Sequence, residues 1–351
     1  MGYTTAYVFV FIFALLCEAA VSRSCASISS SGYASAQRKP KGFGSAKRAV
    51  IIGMDGFGGS HFRNSTNHYP TLRSFIEQGS YTTRARGVFP TKSGANWVTS
   101  LTGLSVMQHG VFSNQWSHKN GDPSDETSYS VPPITGRGLP KSIFTEVKKK
   151  DQKLQTAMMF TWELVKYFAC NNSDIDVWHW GGDGVTCDSK DPENCYHQRD
   201  LKTMRAATAN LVRNKPILTF IHLDMVDFAG HATCWGCTAY YRALKSVEMK
   251  IKILLDTLKN TKGSNGKSML DGTLIVIISD HGGWKNHHNY RKPFSALVDI
   301  PILIRGPCVL KNNSLENTFV SILDVVPTVL NAIGVEKSEF MRGQVLQQIY
   351  H

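Results

Sequence analysis

RAVIIGMD, residues 48–55, sets how the rest of the chain is read. Its apolar run is continuous and is bounded by Gly53 and Asp55. Without polar alternation, such a run suits a strand buried on both faces, as in a parallel sheet covered by helices. The pattern recurs in PILTFIHL (216–223), GTLIVIIS (272–279) and IPILIRG (300–306), and QTAMMFTW (155–162) is also strand-like. Helical spacing fills the intervals: PTLRSFIEQG (70–79) with Gly79 as its C-cap, residues 93–102, KSIFTEVKKK (141–150), LKTMRAATANLVRN (201–214) and SILDVVPTVLNAIG (321–334). Leu244, Val247, Ile251, Leu254 and Leu258 make one apolar stripe on a further long helix, which core packing explains. The alternation predicts an α/β fold with a largely parallel central sheet and helices on both faces.

The 351 residues suffice for one large domain or two ordinary ones, and 42% hydrophobic with 19% charged residues fits a globular chain. At the N-terminus, Tyr7 to Cys17 is apolar but too short to span a bilayer, and small residues follow at Ala20-Val21-Ser22. Residues 1–22 are therefore expected to be a signal peptide, and the mature chain to be secreted without a transmembrane anchor. Asn64-Ser65-Thr66, Asn171-Asn172-Ser173 and Asn312-Asn313-Ser314 are N-glycan acceptor triplets, in keeping with export. In an oxidising compartment the cysteines would form disulfides; Cys187 and Cys195 bracket a short polar loop and are a plausible pair. Part of the +12 net charge lies in QRKPKGFGSAKR (37–48), all but its last residue within a stretch (23–47) that reads as a flexible basic linker. The charge favours acidic partners, but no helix-turn-helix, finger or RNA-binding motif accompanies it, so no specific nucleic-acid partner is expected.

In open α/β sheets ligands bind beyond the carboxyl ends of the strands. There the sequence places Asp55 after the first strand, Asp227 and His231 in DMVDFAGH, and Asp280, His281, His287 and His288 in DHGGWKNHH. One Asp after a strand is ordinarily a cap or turn residue. Carboxylates and imidazoles from three strand ends on one edge instead point to a metal site, with ligand types suited to zinc above other divalent ions. Asp55, Asp227, His231, Asp280, His281 and His288 exceed one tetrahedral shell and fit two zinc ions roughly 4 Å apart. A competing local zinc knot would use His231, Cys234 and Cys237, but a Cys234–Cys237 disulfide is the expected fate of that pair.

FPTKSGANW (89–97) supplies a nucleophile. Ser93 opens a helix, where serine is a favoured N-cap, and the positive helix end favours a phosphate. Zinc bound to the hydroxyl would lower its pKa, so no Ser-His-Asp triad is required. Asn96 lies one turn on, and its amide would hold a phosphoryl oxygen beside Ser93.

These blocks, VIIGMDGF, FPTKSGANWVTSLTG followed by HG, DFAGH, and SDHGG followed by His288, together resemble the type I phosphodiesterase/nucleotide pyrophosphatase family of the alkaline phosphatase superfamily. The resemblance runs in order from residue 48 and implies an alkaline-phosphatase-like catalytic domain over 48–351, with one small inserted cap or pocket region near 105–200. It implies one zinc on Asp227, His231 and His288 and a second on Asp55, Ser93, Asp280 and His281. Ser93 is then the nucleophile and Asn96 a phosphate-oxygen ligand. Family spacing favours His288 over His287. Animal members usually carry threonine at the nucleophile position and a third histidine much farther along, so the compact arrangement here looks more like microbial members.

The resulting expectation is a secreted two-zinc phosphoric ester hydrolase with a phosphoseryl intermediate, acting on a small diester or pyrophosphate such as a nucleotide or lipid head group. The alternatives are a phosphomonoesterase of the same superfamily and a secreted, non-catalytic binding protein that keeps the fold. Trp97, Trp116, Trp162, Trp178 and Trp180 are candidates to stack on a base or choline-like head group. A sulfatase is disfavoured, because Ser93 stands in KSGAN and the chain has no Cys-x-Pro-x-Arg stretch.

Overall fold

The computed structural model describes residues 39–116, 141–170, 172–263, 265–290 and 294–351. The expected signal peptide, most of the expected linker, the acceptor Asn171 and the middle of the expected insertion lie outside these residues. The main elements are β1 (Arg48–Met54), α1 (Gly59–Arg63), α2 (Pro70–Gln78), β2 (Ser80–Arg86), α3 (Ser93–Thr102), α4 (Val106–His109), α5 (Ile143–Lys150) and β3 (Thr156–Phe160). Next come α6 (Val165–Cys170), β4 (Val177–Trp180), α7 (Pro192–Arg213), β5 (Leu218–Leu223), α8 (Met225–Ala232) and α9 (Thr238–Asn260). The chain continues through β6 (Thr273–Ile278), α10 (Ser295–Val298), β7 (Asp299–Arg305), β8 (Asn313–Ser314) and α11 (Val325–Ala332).

The strands form one sheet in the order β4-β3-β5-β1-β6-β7-β2-β8. β4, β3, β5, β1 and β6 run parallel, while β7 is antiparallel to both β6 and β2. Alternate residues of β1 serve opposite faces: Ala49 and Ile51 join one core, Val50, Ile52 and Met54 the other. α3, α5, α6 and α11 cover the first face; α2, α7, α8 and α9 cover the second. Leu244, Val247, Ile251, Leu254 and Leu258 on α9 are all fully buried. Each contributes about 1.5–3 kcal/mol relative to exposure, which holds this long helix to the sheet.

Several expectations change. Gly79 is the C-cap of α2, as expected, but in extended backbone (φ −155°), and it leads directly into β2, a strand whose polar SYTTRAR has no continuous apolar run to announce it. α7 begins nine residues before the predicted helix start, at Pro192, behind the Asp191 cap. Within 105–200, β3 and β4 are hydrogen-bonded members of the central sheet. The described end of the basic stretch is anchored, not loose. Gly44 and Ala46 N–H groups donate to the Asn331 and Ala332 carbonyls, and Lys47 N–H donates to Gly272. Both cysteine pairs, Cys187–Cys195 and Cys234–Cys237, are disulfides, so the second is not a zinc knot. Among the described residues no helix is long and apolar enough to cross a membrane.

Candidate active site

The parallel strands deliver their carboxyl ends to one edge, and the predicted residues meet there. Asp55 follows β1, Asp280 and His281 follow β6, and Asp227 and His231 share one face of α8, which begins just after β5. Ligating atoms of Asp55, Asp280 and His281 lie within 4.8 Å of one another, as do those of Asp227, His281 and His288. His231 joins through Nε2, 3.5 Å from Asp227 Oδ2, and its ring centroid is 4.9 Å from that of His288. The His288 ring is buried and stacks on His281 at 3.7 Å, whereas His287 is exposed. Gly56 turns the chain after Asp55 with φ +69°, and a Cβ there would come within 2.8 Å of the Asp227 backbone.

The three imidazoles are prepared alike. His281 Nδ1 donates to the Gly282 carbonyl (2.9 Å), His231 Nδ1 to Asn286 (3.0 Å) and His288 Nδ1 to Thr91. Each bond fixes the tautomer and leaves Nε2 with its lone pair, the arrangement that metal-binding histidines use. Burial keeps the rings neutral: it pushes His281 down to about 4, and it also lowers His288 and His231.

The carboxylates show the complementary deficit. Asp55 Oδ2 accepts from Trp97 Nε1 (2.8 Å) and His222 Nε2 (3.1 Å), and Asp280 Oδ1 accepts from Gly56 N–H (3.1 Å). Their other oxygens, Asp55 Oδ1 and Asp280 Oδ2, together with Asp227 Oδ1, are buried with no hydrogen-bond partner. Burial raises Asp227 and Asp280, and the charge of Asp55 raises them further. For Asp55 itself burial opposes ionisation, but the hydrogen bonds from His222 and Trp97 hold it below the ordinary carboxylate range. Unpaired buried oxygens facing neutral imidazole nitrogens are what a divalent cation neutralises, so the donor set fits zinc.

Ser93 is buried at the first position of α3, with its Oγ 3.2 Å from His281 Nε2. It is not the helix cap: Lys92 is, in extended conformation (φ −105°, ψ 137°). Ser93 Oγ is therefore aimed at the metal-ligand cluster instead of closing a helix N–H. Asn96 is corrected more strongly. It is fully buried, its amide nitrogen donates to the Val88, Pro90 and Lys92 carbonyls, and its oxygen accepts from Val88 N–H. That amide clamps the loop before Ser93 and has no free N–H for a phosphate.

Residues that sequence reasoning missed surround the cluster. Asn114 Oδ1 accepts from Gly94 N–H at 2.8 Å, which places a second amide beside the nucleophile. Asp224 groups with Asp55 and Asp227. Asp200 accepts from Asp224 and Met225 N–H groups at the start of α8 (2.9 and 3.2 Å) and so fixes the helix carrying Asp227 and His231. A polar His222 inside an apolar strand, and Asp224 within the quoted DMVDFAGH, were visible signals; Asp200 had none. Trp97 is an anchor of Asp55 and 2% exposed, not a stacking surface. Trp116 and Trp162 do border a small, open apolar cleft with Gly94, Asn114 and Phe168. Trp178 and Trp180 belong to the sheet's edge strand.

The sequence profile of the type I phosphodiesterase / nucleotide pyrophosphatase family matches residues 49–297. The chain belongs to this family. As a family member it is 23% identical to mouse (Mus musculus) ectonucleotide pyrophosphatase/phosphodiesterase family member 1 over 286 residues, 78% of this chain and 28% of the relative. The human (Homo sapiens) protein is 23% identical over 252 residues, 69% of this chain and 24% of the relative. The chain thus spans about a quarter of the length of these curated relatives. Among solved structures, an inactive variant of murine ectonucleotide pyrophosphatase/phosphodiesterase 5 in complex with AMP superposes with TM-score 0.64 at 13% identity, covering 87% of this chain and 100% of that one. A variant of alkaline phosphatase PafA gives TM-score 0.63 at 10% identity, covering 87% and 99%. A 2-O GAG sulfatase gives 0.63 at 13% identity, covering 86% and 73%. The family member's fold is therefore that of the alkaline phosphatases and sulfatases.

Proposed function

We propose that this chain is an exported phosphoric ester hydrolase that works at a two-zinc site with Ser93 as nucleophile, on diesters or pyrophosphates such as nucleotides. One observation carries the reading: three fixed imidazole Nε2 atoms and three unpartnered carboxylate oxygens converge beside one serine hydroxyl. Asp227, His231 and His288 would hold one ion, and Asp55, Asp280, His281 and Ser93 Oγ the other. The chemistry that zinc supplies when bound is Lewis-acid stabilisation of phosphoryl oxygens and a lowered pKa for a coordinated hydroxyl.

The chain's own groups set the rest. The Pro90–Lys92 segment and the Asn96 clamp fix Ser93 at the positive end of α3, where a phosphoryl group is favoured. Ser93 Oγ attacks phosphorus as the departing oxygen leaves in line, and water then hydrolyses the phosphoseryl ester and restores the hydroxyl. Asn114, with its oxygen held by Gly94 N–H, would offer its amide N–H groups to a bound phosphate and take the role that sequence spacing gave to Asn96. The apolar cleft beside Gly94 would receive the leaving group. The Cys187–Cys195 and Cys234–Cys237 disulfides and the exposed acceptors Asn64 and Asn312 support an oxidising, extracytoplasmic setting.

A phosphomonoesterase reading draws on Lys92, whose charge reaches the site and disfavours protonation of His231 and His281. The deciding experiment compares bis-p-nitrophenyl phosphate, p-nitrophenyl phosphate and nucleoside triphosphates, with and without chelator. Faster chelator-sensitive turnover of the diester or triphosphate is expected. Turnover that survives full zinc removal would sink the metal mechanism, and faster monoester turnover would transfer the assignment.

A further inference from the structure

The segment CWGC, residues 234–237, links α8 to α9 and takes no part in the chemistry above. We propose that Trp235 is a positioning residue for the metal site and that the Cys234–Cys237 disulfide braces it there. The inference rests on the zinc reading of the same cluster.

Trp235 is 5% exposed and lies among the segments that carry the ligands. Its Nε1 donates to the Gly56 carbonyl at 2.8 Å, which holds the turn directly after Asp55. Its backbone N–H donates to the Lys285 carbonyl at 2.7 Å, in the loop between His281 and His288. Its ring centroid lies 5.0 Å from His231, 6.0 Å from His288 and 6.4 Å from His281. Two glycines make room for the indole. A Cβ at Gly230, next to His231, would meet it at 2.6 Å, and one at Gly283, two residues after His281, at 2.1 Å. The indole is thus wedged between two ligand-bearing segments and tied to a third.

The brace is equally local. Only Thr233 separates Cys234 from the end of α8, and Cys237 is the cap residue of α9. The disulfide joins them across Trp235 and Gly236, with Cys237 N–H donating to the Cys234 carbonyl at 3.2 Å. A four-residue connection closed this way leaves Trp235 few alternative placements. Groups that orient metal ligands typically change affinity about 10–100-fold when removed.

The test measures zinc affinity of the full chain by competition with a chromophoric chelator, alongside thermal melts of metal-free and zinc-loaded protein. W235A is expected to bind zinc roughly 10–100-fold more weakly. W235F, which keeps most of the packing but loses the N–H bond to Gly56, should lose several-fold. C234S/C237S should fall between wild type and W235A, and C187S/C195S should match wild type. The metal-free melting temperature of W235F should stay near wild type while its zinc-induced rise shrinks, a pattern that a general packing role would not give. If W235A does not fold, W235F and C234S/C237S decide. Wild-type affinity in W235F and in any folded W235A overturns the positioning role. Wild-type affinity in C234S/C237S overturns the brace. Absence of zinc binding by the wild-type chain overturns the zinc reading and this inference with it.

Discussion

The two ends of the parallel strands treat their carboxylates in opposite ways. Before β4, Asp176 accepts from Lys148 Nζ at 2.8 and 2.7 Å, from Thr156 N–H at 2.7 Å and from Thr156 Oγ1 at 3.1 Å. Lys148, only 4% exposed, also donates to the Gln152 and Leu154 carbonyls. Burial disfavours the Asp176 charge, but the Lys148 and Thr156 hydrogen bonds hold its pKa below the ordinary value. At the other end Asp55, Asp227 and Asp280 each leave a buried oxygen without a donor. The first arrangement completes itself and stabilises the fold. The second is incomplete without a cation, and the nucleophile stands beside it.

The largest expected effect is at the incomplete end. S93A should lower turnover by at least about 10³-fold while bound zinc per chain stays unchanged, because the six carboxylate and imidazole ligands remain. Steady-state rates with metal analysis by mass spectrometry check this. Residual activity within tenfold of wild type would show that the hydroxyl is not the attacking atom.

A matched pair of substitutions tests the contrast itself. D176N should destabilise the protein by about 1–2 kcal/mol, because the buried Lys148 ammonium loses its partly solvated counter-charge. D280N should do the reverse in metal-free protein, raising stability by on the order of 1 kcal/mol. It removes one charge from a crowded carboxylate group while an amide oxygen still accepts from Gly56 N–H. The same change should abolish tight zinc binding. Urea melts in chelator give both signs, and destabilisation by both substitutions would break the comparison.

The incomplete end was also the legible one. Asp55, Asp280 and His281 could be found because each ends an apolar run, and parallel strands bring such ends together whatever the loops do. Asp227, His231 and His288 sit in short blocks close to those ends. Asn96 was misread because helical spacing fixes where a residue sits, not what its side chain bonds; three loop carbonyls took its amide. Ser93 lies at the predicted helix start, yet the cap moved to Lys92 because the chain enters α3 extended. β2 and β4 escaped notice because SYTTRAR and VWHW are partly exposed and lack an unbroken apolar run. The anchoring of residues 39–47 depends on Asn331 and Gly272, far along the chain, which no local pattern reveals.

A smaller effect should appear in acid. The folded-state pKa of Asp176 lies below its unfolded value, so its contribution is present above about pH 4 and is lost as pH falls through the folded value. The stability gap between wild type and D176N should therefore narrow below about pH 4, by at most about 1.4 kcal/mol per pH unit. A gap that stays constant down to pH 2.5, about 1.5 units below the unfolded value, would mean that D176N acts through lost packing rather than lost charge.

The smallest expected effect concerns charge at the mouth of the incomplete end. Lys92 is partly exposed, caps α3 beside Ser93 and bears on His231 and His281. A bound monoester carries one more negative charge than a diester, so Lys92 should favour the monoester by on the order of 1 kcal/mol at a surface-like dielectric. K92A should then shift the kcat/KM ratio of diester over monoester upward by roughly fivefold, with zinc content unchanged. The shift should shrink in 1 M salt, where the screening length is about 3 Å. An unchanged ratio at low salt would remove Lys92 from substrate discrimination and leave the choice between ester classes to Asn114 and the apolar cleft.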